Sequence, residues 1–157
     1  MDESLIKLSN TNNVTDIKQI LTNYQSDDWN DIIKDVKVTD CCCNNYHKIL
    51  LLSNNNMDVY LIVWFPGAET PIHDHPNGGC VVKLLKGQLT EIVYENIENS
   101  QAVLLKTNCL NEGDISYKTG NKILHKIKST VHSISIHVYL PPNYKQNVYR
   151  ELSNLSQ

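Results

Sequence analysis

The sequence predicts an all-β body behind N-terminal helices, a sandwich or jelly-roll barrel, and three observations predict it. From Tyr46 onward, short runs rich in Val, Ile, Leu and Tyr alternate with the turn clusters SNNN at 53–56, PNGG at 76–79 and EG at 112–113. No helix-length pattern interrupts those runs, which argues against a parallel α/β sheet. Ahead of them, residues 14–36 carry apolar side chains at helical spacing.

In chain order, Val14, Ile17, Ile20 and Leu21 form one apolar stripe, and Trp29, Ile32, Ile33 and Val36 form another, so two short helices are expected. Asn13 or Thr15 is the candidate cap of the first and Ser26 or Asp27 of the second, because short oxygen-bearing side chains satisfy the free amides of a helix start. The strand candidates are HKILLLS, DVYLIVWFP, CVVKLLKGQLTEIVYE, AVLLKTNCL, DISYKT, KILHKIKS and SISIHVYLP, with Gly87 punctuating the third as a hairpin. At 157 residues the chain fits one domain, divided into a helical segment (1–40), a barrel (45–142) and a C-terminal tail (143–157). A chain of this size buries roughly 70% of its unfolded surface, so it folds without a structural metal, and any metal is a functional one.

The formal net charge of −3 lacks the clustered Lys and Arg of a nucleic-acid surface and suits a small neutral or zwitterionic ligand. No basic stretch followed by an apolar run opens the chain, and no run is long enough to span a bilayer, so no membrane association and a cytoplasmic location are expected. The five cysteines follow no secreted framework spacing and read as reduced thiols. Cys41, Cys42 and Cys43 read as structural or incidental, since successive side chains of an extended segment point to opposite sides and do not converge on one ion.

The chemistry centres on PIHDHPNGGC, Pro71 to Cys80. Residues two apart on an extended segment share a face, so His73 and His75 point one way and Asp74 the other. By itself His-x-His is as common in hydrogen-bonded pairs as in metal sites. His125 in KILHKIK offers a third ligand, and His132 competes with it from beside Ser129 and Thr130, in what reads as a hairpin turn. No acidic residue stands at a typical carboxylate-ligand offset, so three histidines are favoured over two and a carboxylate; three leave coordination positions open, as a catalytic metal needs. In SISIHVY, Ser133, Ser135, His137 and Tyr139 share one face, opposite Ile134, Ile136 and Val138; the polar face either meets water or lines a polar cavity.

These residues resemble the cysteine dioxygenase family, thiol dioxygenases of the cupin superfamily, from about Trp29 to Pro142. The resemblance rests on IHDHxNxxC at Ile72–Cys80, GxL at Gly87–Leu89, Leu124-His125-Lys126, and SxHxYxPP from Ser135 to Pro142. It implies a cupin-type jelly-roll barrel and a non-haem Fe(II) enzyme, with His73, His75 and His125 as ligands, that converts L-cysteine and O2 to cysteine sulfinic acid; separately, a monomer is expected. It further implies a thioether crosslink between Cys80 and Tyr139, with the Tyr139 hydroxyl held by His137 and His137 steadied by Ser135. Tyr46 and Lys48 fall where the family carries a tyrosine and an arginine that receive the substrate carboxylate; the arginine is replaced here. Gln146 stands in place of a pocket cysteine, and the tail is shorter than in the animal enzymes. Alternative readings are a dioxygenase for another small thiol, such as a mercapto acid or cysteamine, and a cupin that binds metal without turnover. A zinc hydrolase is disfavoured for want of an acidic base near the His pair.

Overall fold

In the computed structural model, which describes residues 2–25, 27–40 and 44–152, the N-terminal segment forms three short helices, α1 (Glu3–Ser9), α2 (Val14–Thr22) and α3 (Trp29–Ile33). Helix α1 adds to the two read from periodicity: the Asp2 carboxylate accepts from Ser4 N at 2.6 Å and Leu8 is fully buried. Asn13 caps α2 as expected, its Oδ1 accepting from Thr15 N at 2.8 Å and Asp16 N at 3.3 Å. The start of α3 differs from expectation. Asp28, rather than Asp27, precedes it, already in helical conformation and without a side-chain capping bond; the other candidate, Ser26, lies outside the described residues. The Cys41–Cys43 run also lies outside the described residues.

Among the described residues eleven strands follow: β1 (Tyr46–Ser53), β2 (Asp58–Trp64), β3 (Ala68–Glu69), β4 (Ile72–His73), β5 (Gly79–Lys86), β6 (Gln88–Asn96), β7 (Gln101–Asn111), β8 (Ile115–Lys118), β9 (Ile123–Ser129), β10 (Ser133–Leu140) and β11 (Val148–Glu151). One sheet runs β1-β2-β10-β5-β8; the other runs β3-β9-β4-β11-β7-β6, with β6 also paired to β9. All pairings are antiparallel except β11 with β7. No helix among the described residues is long and apolar enough to cross a membrane.

The first sheet is covered on both faces, which explains the continuous apolar run in β2. Val59, Leu61 and Val63 of β2, with Ile134, Ile136 and Val138 of β10, pack against Leu8, Ile17, Leu21 and Trp29 of the helices. Ile62 and Trp64 point the other way, into a barrel interior shared with Leu84, Leu89, Leu110 and Ile127. Each such fully buried aliphatic side chain contributes about 1.5–3 kcal/mol. Lys83 ties the helical layer to the sheet through Nζ, which donates to Thr22 O at 3.2 Å and Tyr24 O at 2.9 Å.

Two sequence expectations are corrected here. Gly87 does not close a hairpin: β5 belongs to the first sheet and β6 to the second, so it turns a corner between them. Its φ is +88°, and a Cβ there would come within 2.3 Å of Ser133 Oγ and 2.6 Å of His132 O, a space only glycine fits. His132 likewise sits at a crossing between the sheets, from β9 to β10, rather than in a hairpin. The segment read as a tail enters the second sheet as β11, between β4 and β7.

Candidate metal centre

His73 ends β4, His75 follows in the loop after it, and His125 lies on β9 directly across the ladder from His73. All three are buried, and their ligand atoms lie within 4.8 Å of one another. His125 Nε2 is 3.0 Å from His75 Nε2 and 3.1 Å from His73 Nε2. His132 takes no part: it is exposed, with its ring edge-on to Phe65 at 5.4 Å.

The outer nitrogens determine what the inner ones offer. His73 Nδ1 is 2.8 Å from Pro71 O, a carbonyl that only accepts, so Nδ1 carries the proton and Nε2 a lone pair. His125 Nδ1 is 2.9 Å from Glu91 Oε1. Burial alone would raise the Glu91 pKa, but hydrogen bonding and the charges of His125 and Lys118 hold it well below the usual range, so the carboxylate accepts the His125 Nδ1 proton and His125 Nε2 is a second lone pair. Two lone pairs 3.1 Å apart repel in a buried site. Burial, reinforced by the neighbouring imidazoles, lowers the pKa of His73 to about 3 and that of His75 as well, so protonation does not relieve the repulsion near neutrality. A divalent cation shared by neutral imidazoles does, and the donor set fits one.

Glu91 is the residue that sequence reasoning missed. It is buried on β6 between Leu89 and Val93, and it gathers Lys118 Nζ at 3.1 Å, Ser116 Oγ at 3.1 Å and Asn108 Nδ2 at 3.1 Å besides His125. Its signal was a charged residue at an inward position of an alternating strand. Asp74 points away from the ligands, as expected, and is taken up by the C-terminal segment.

The histidines line a cavity of about 30 Å3 together with Tyr46, Lys48, Cys80, His137, Tyr139 and Gln146; among the described residues no carboxylate lines it. The polar face of β10 therefore turns inward: Ser135 and His137 are buried, Ser135 Oγ accepts from Trp64 Nε1 at 2.8 Å, and Ser135 Oγ and His137 Nε2 are 2.7 Å apart. Cys80 and Tyr139 face each other across the β5–β10 ladder. The His137 and Tyr139 rings stack with centroids 6.1 Å apart, His137 Nε2 being engaged by Ser135 Oγ, and the Tyr139 side chain stands beside that of Cys80. Alternation explains both contacts, since residues two apart on one strand lie side by side and the directly opposite residue of the next strand is a close neighbour. Burial raises the Tyr139 pKa well above its ordinary value and pushes the Cys80 thiol up to about 12, with the Lys48 charge opposing the latter. Lys48 keeps solvent contact, its ammonium 4.7 Å from the Tyr60 ring centroid and 5.0 Å from that of Tyr139, and burial lowers its pKa.

Comparison with known proteins agrees with this arrangement. The cysteine dioxygenase type I family model matches residues 4–152. The chain belongs to that family. It is 28% identical over 90 residues to cysteine dioxygenase type 1 of Rattus norvegicus, covering 54% of this chain, and spans about half of the rat protein's length, 45%. It is 27% identical over 142 residues to the Danio rerio protein of the same name, covering 85% of this chain and 68% of that one. Among solved structures, an RmlC-like cupin protein from Desulfovibrio desulfuricans superposes with a TM-score of 0.55 at 14% identity, over 76% of this chain and 99% of that one. The fold is thus a cupin jelly roll with N-terminal helices, and family membership accords with the three-histidine group.

Proposed function

We propose that the protein is a non-haem Fe(II) thiol dioxygenase that converts L-cysteine and O2 to cysteine sulfinic acid, with His73, His75 and His125 holding the iron. The observation that carries this reading is the convergence of three buried imidazole nitrogens on a small cavity whose remaining polar lining, among the described residues, includes a phenol, a thiol and an ammonium group but no carboxylate. Iron bound there would supply open positions for the thiol and O2 and the redox chemistry that joins them.

The chain's own groups position and neutralise. Tyr139 holds its proton at neutral pH, so its hydroxyl is a donor toward charge that develops on oxygen in the cavity. The Ser135 hydroxyl, accepting from Trp64, has its own proton for His137 Nε2 and fixes that ring as one wall. Lys48 and Tyr46 face the substrate carboxylate. The Cys80–Tyr139 register suits a thioether, formed with loss of the thiol hydrogen and one ring hydrogen while two electrons pass to O2. A zinc hydrolase fits less well, because Glu91, although close, meets His125 at Nδ1 and is engaged by Lys118, Ser116 and Asn108.

The test is anaerobic loading with Fe(II) followed by O2 uptake with L-cysteine, expected at one O2 per sulfinic acid formed. His73→Ala, His75→Ala and His125→Ala should each lose iron and O2 uptake, while His132→Ala and His47→Ala keep iron. Iron retained in His125→Ala, or no uptake with any small thiol, would overturn the assignment. The crosslink should give a gel doublet dependent on iron, O2 and thiol that collapses in Cys80→Ala; full activity with no doublet would leave Cys80 a packing residue.

A further inference from the structure

Residues 143–149 cross the mouth of the cavity as a strap pinned at both ends by buried carboxylates. At one end Asn143 N donates to Asp58 Oδ2 at 2.7 Å. At the other, Asp74 takes four hydrogen bonds: from the Tyr144 hydroxyl, from Asn147 N at 2.8 Å, from Asn147 Nδ2 at 2.9 Å and from the Tyr149 hydroxyl at 3.0 Å. Backbone pairing of Val148 with His73 and Tyr149 with Ile72 continues the attachment. Between the pins lie Lys145 and Gln146. Lys145 faces only an outer chamber of about 390 Å3, whereas Gln146, like Lys48 and Tyr139, lines both that chamber and the inner cavity.

The polar groups at this threshold are complementary to a carboxylate. Asp58, which borders the outer chamber, accepts from Ser53 Oγ at 2.6 Å and from Asn143 N, and Asp74 is turned into the strap, so Lys48, Tyr139 and Gln146, which line both spaces, include no carboxylate. Lys48 supplies charge, but an ammonium group is a mobile point charge that fixes no orientation. A primary amide is neutral and planar, with two N–H donors in set directions.

We propose that Gln146 is a specificity-determining residue, the directional half of a two-part receptor for the substrate carboxylate whose charged half is Lys48, and that Asp74, Tyr144 and Tyr149 are the positioning residues that hold it at the threshold. The assignment rests on the thiol dioxygenase reading above. One side chain supplies attraction and the other orientation, which a single arginine fork would combine.

The experiment measures kcat/KM for L-cysteine and for cysteamine, which has no carboxylate, on Fe(II)-loaded protein, with amide hydrogen exchange of 144–149 followed on the metal-free protein. Gln146→Ala should lower the cysteine-to-cysteamine ratio about tenfold through KM, the effect of losing a hydrogen bond to a charged group. Gln146→Glu, which sets a second anion beside the carboxylate, should lower it further. Tyr144→Phe combined with Tyr149→Phe should speed exchange across 144–149 and lower the same ratio. In a Gln146→Ala background that pair should add less than about twofold, because the strap acts through Gln146. An unchanged ratio in Gln146→Ala, or full additivity with the strap variants, overturns the proposal while a wild type active on L-cysteine leaves the dioxygenase reading standing. A wild type that neither binds nor consumes any thiol overturns both.

Discussion

Glu91 acts on the cavity only through His125, yet the orientation of that imidazole depends on it. A carboxylate on the outer nitrogen fixes the tautomer and makes the inner nitrogen more basic, and losing such a partner typically costs 10–100-fold in metal affinity. Glu91→Gln, which keeps the shape and removes the charge, should therefore weaken metal binding within about that range in a chelator competition, with the fold intact by circular dichroism. Lys48 acts on the other reactant. A charge-assisted hydrogen bond of about 1.5–3 kcal/mol sets the expected rise in KM for L-cysteine in Lys48→Ala at roughly ten- to a hundredfold, with Lys48→Arg keeping or improving it. An equal effect of Lys48→Ala on cysteamine would show that Lys48 supports the fold or the metal. The His73–His75 pair was visible as a spacing, with His125 and His132 both available as a third ligand, whereas Lys48 stood out only through the family resemblance. Glu91 was not visible, because a lone glutamate in a strand reads as a solvated side chain until the strand's inward face is known.

At the scale of elements, β10 joins the two halves of the molecule. Its odd-numbered residues His137 and Tyr139 line the cavity with Ser135 bonded behind His137, while Ile134, Ile136 and Val138 anchor the helical layer, so a defect on the apolar face should reach the site only by shifting the strand. Ile136→Ala should destabilise the protein by about 2–5 kcal/mol, the usual cost of removing a large buried aliphatic side chain, read as a lower denaturation midpoint at unchanged m. An exposed position on the same protein, such as Leu104→Ala, should change it little. The strands of the barrel were legible because alternation and β-branched runs are local properties. The sheet to which each strand belongs is not local: Gly87 reads as a hairpin turn in sequence, and only contact with Ser133 and His132, some 45 positions on, makes it a corner. Strand β11 was illegible for the same reason, since VYRE is four residues with little apolar character and its pairing follows from Asp74 gathering Tyr144, Asn147 and Tyr149.

For the molecule as a whole, the cavity couples folding to protons and to metal. His73, His75, His125 and His137 are buried and have depressed pKa values, chiefly from burial, that of His73 falling from 6.5 to about 3. The unfolded chain, whose histidines titrate near 6.5, then binds more protons than the native state at any pH between the two values, and stability rises with pH across that window. The contribution is fully present above 6.5 and is lost as pH falls toward 3, by up to about 1.4 kcal/mol per pH unit for each such histidine. Metal-stripped protein should accordingly show a thermal midpoint that falls steadily from pH 7 to pH 4.5. Metal that binds only the native state adds stability in proportion to the logarithm of its concentration over its dissociation constant, and it competes with the same protons for the same nitrogens. Adding Fe(II) anaerobically at pH 7 should therefore raise the midpoint, His125→Ala should abolish most of that rise, and the increment should shrink as pH is lowered. An increment independent of pH would mean that the cation binds groups other than these imidazoles.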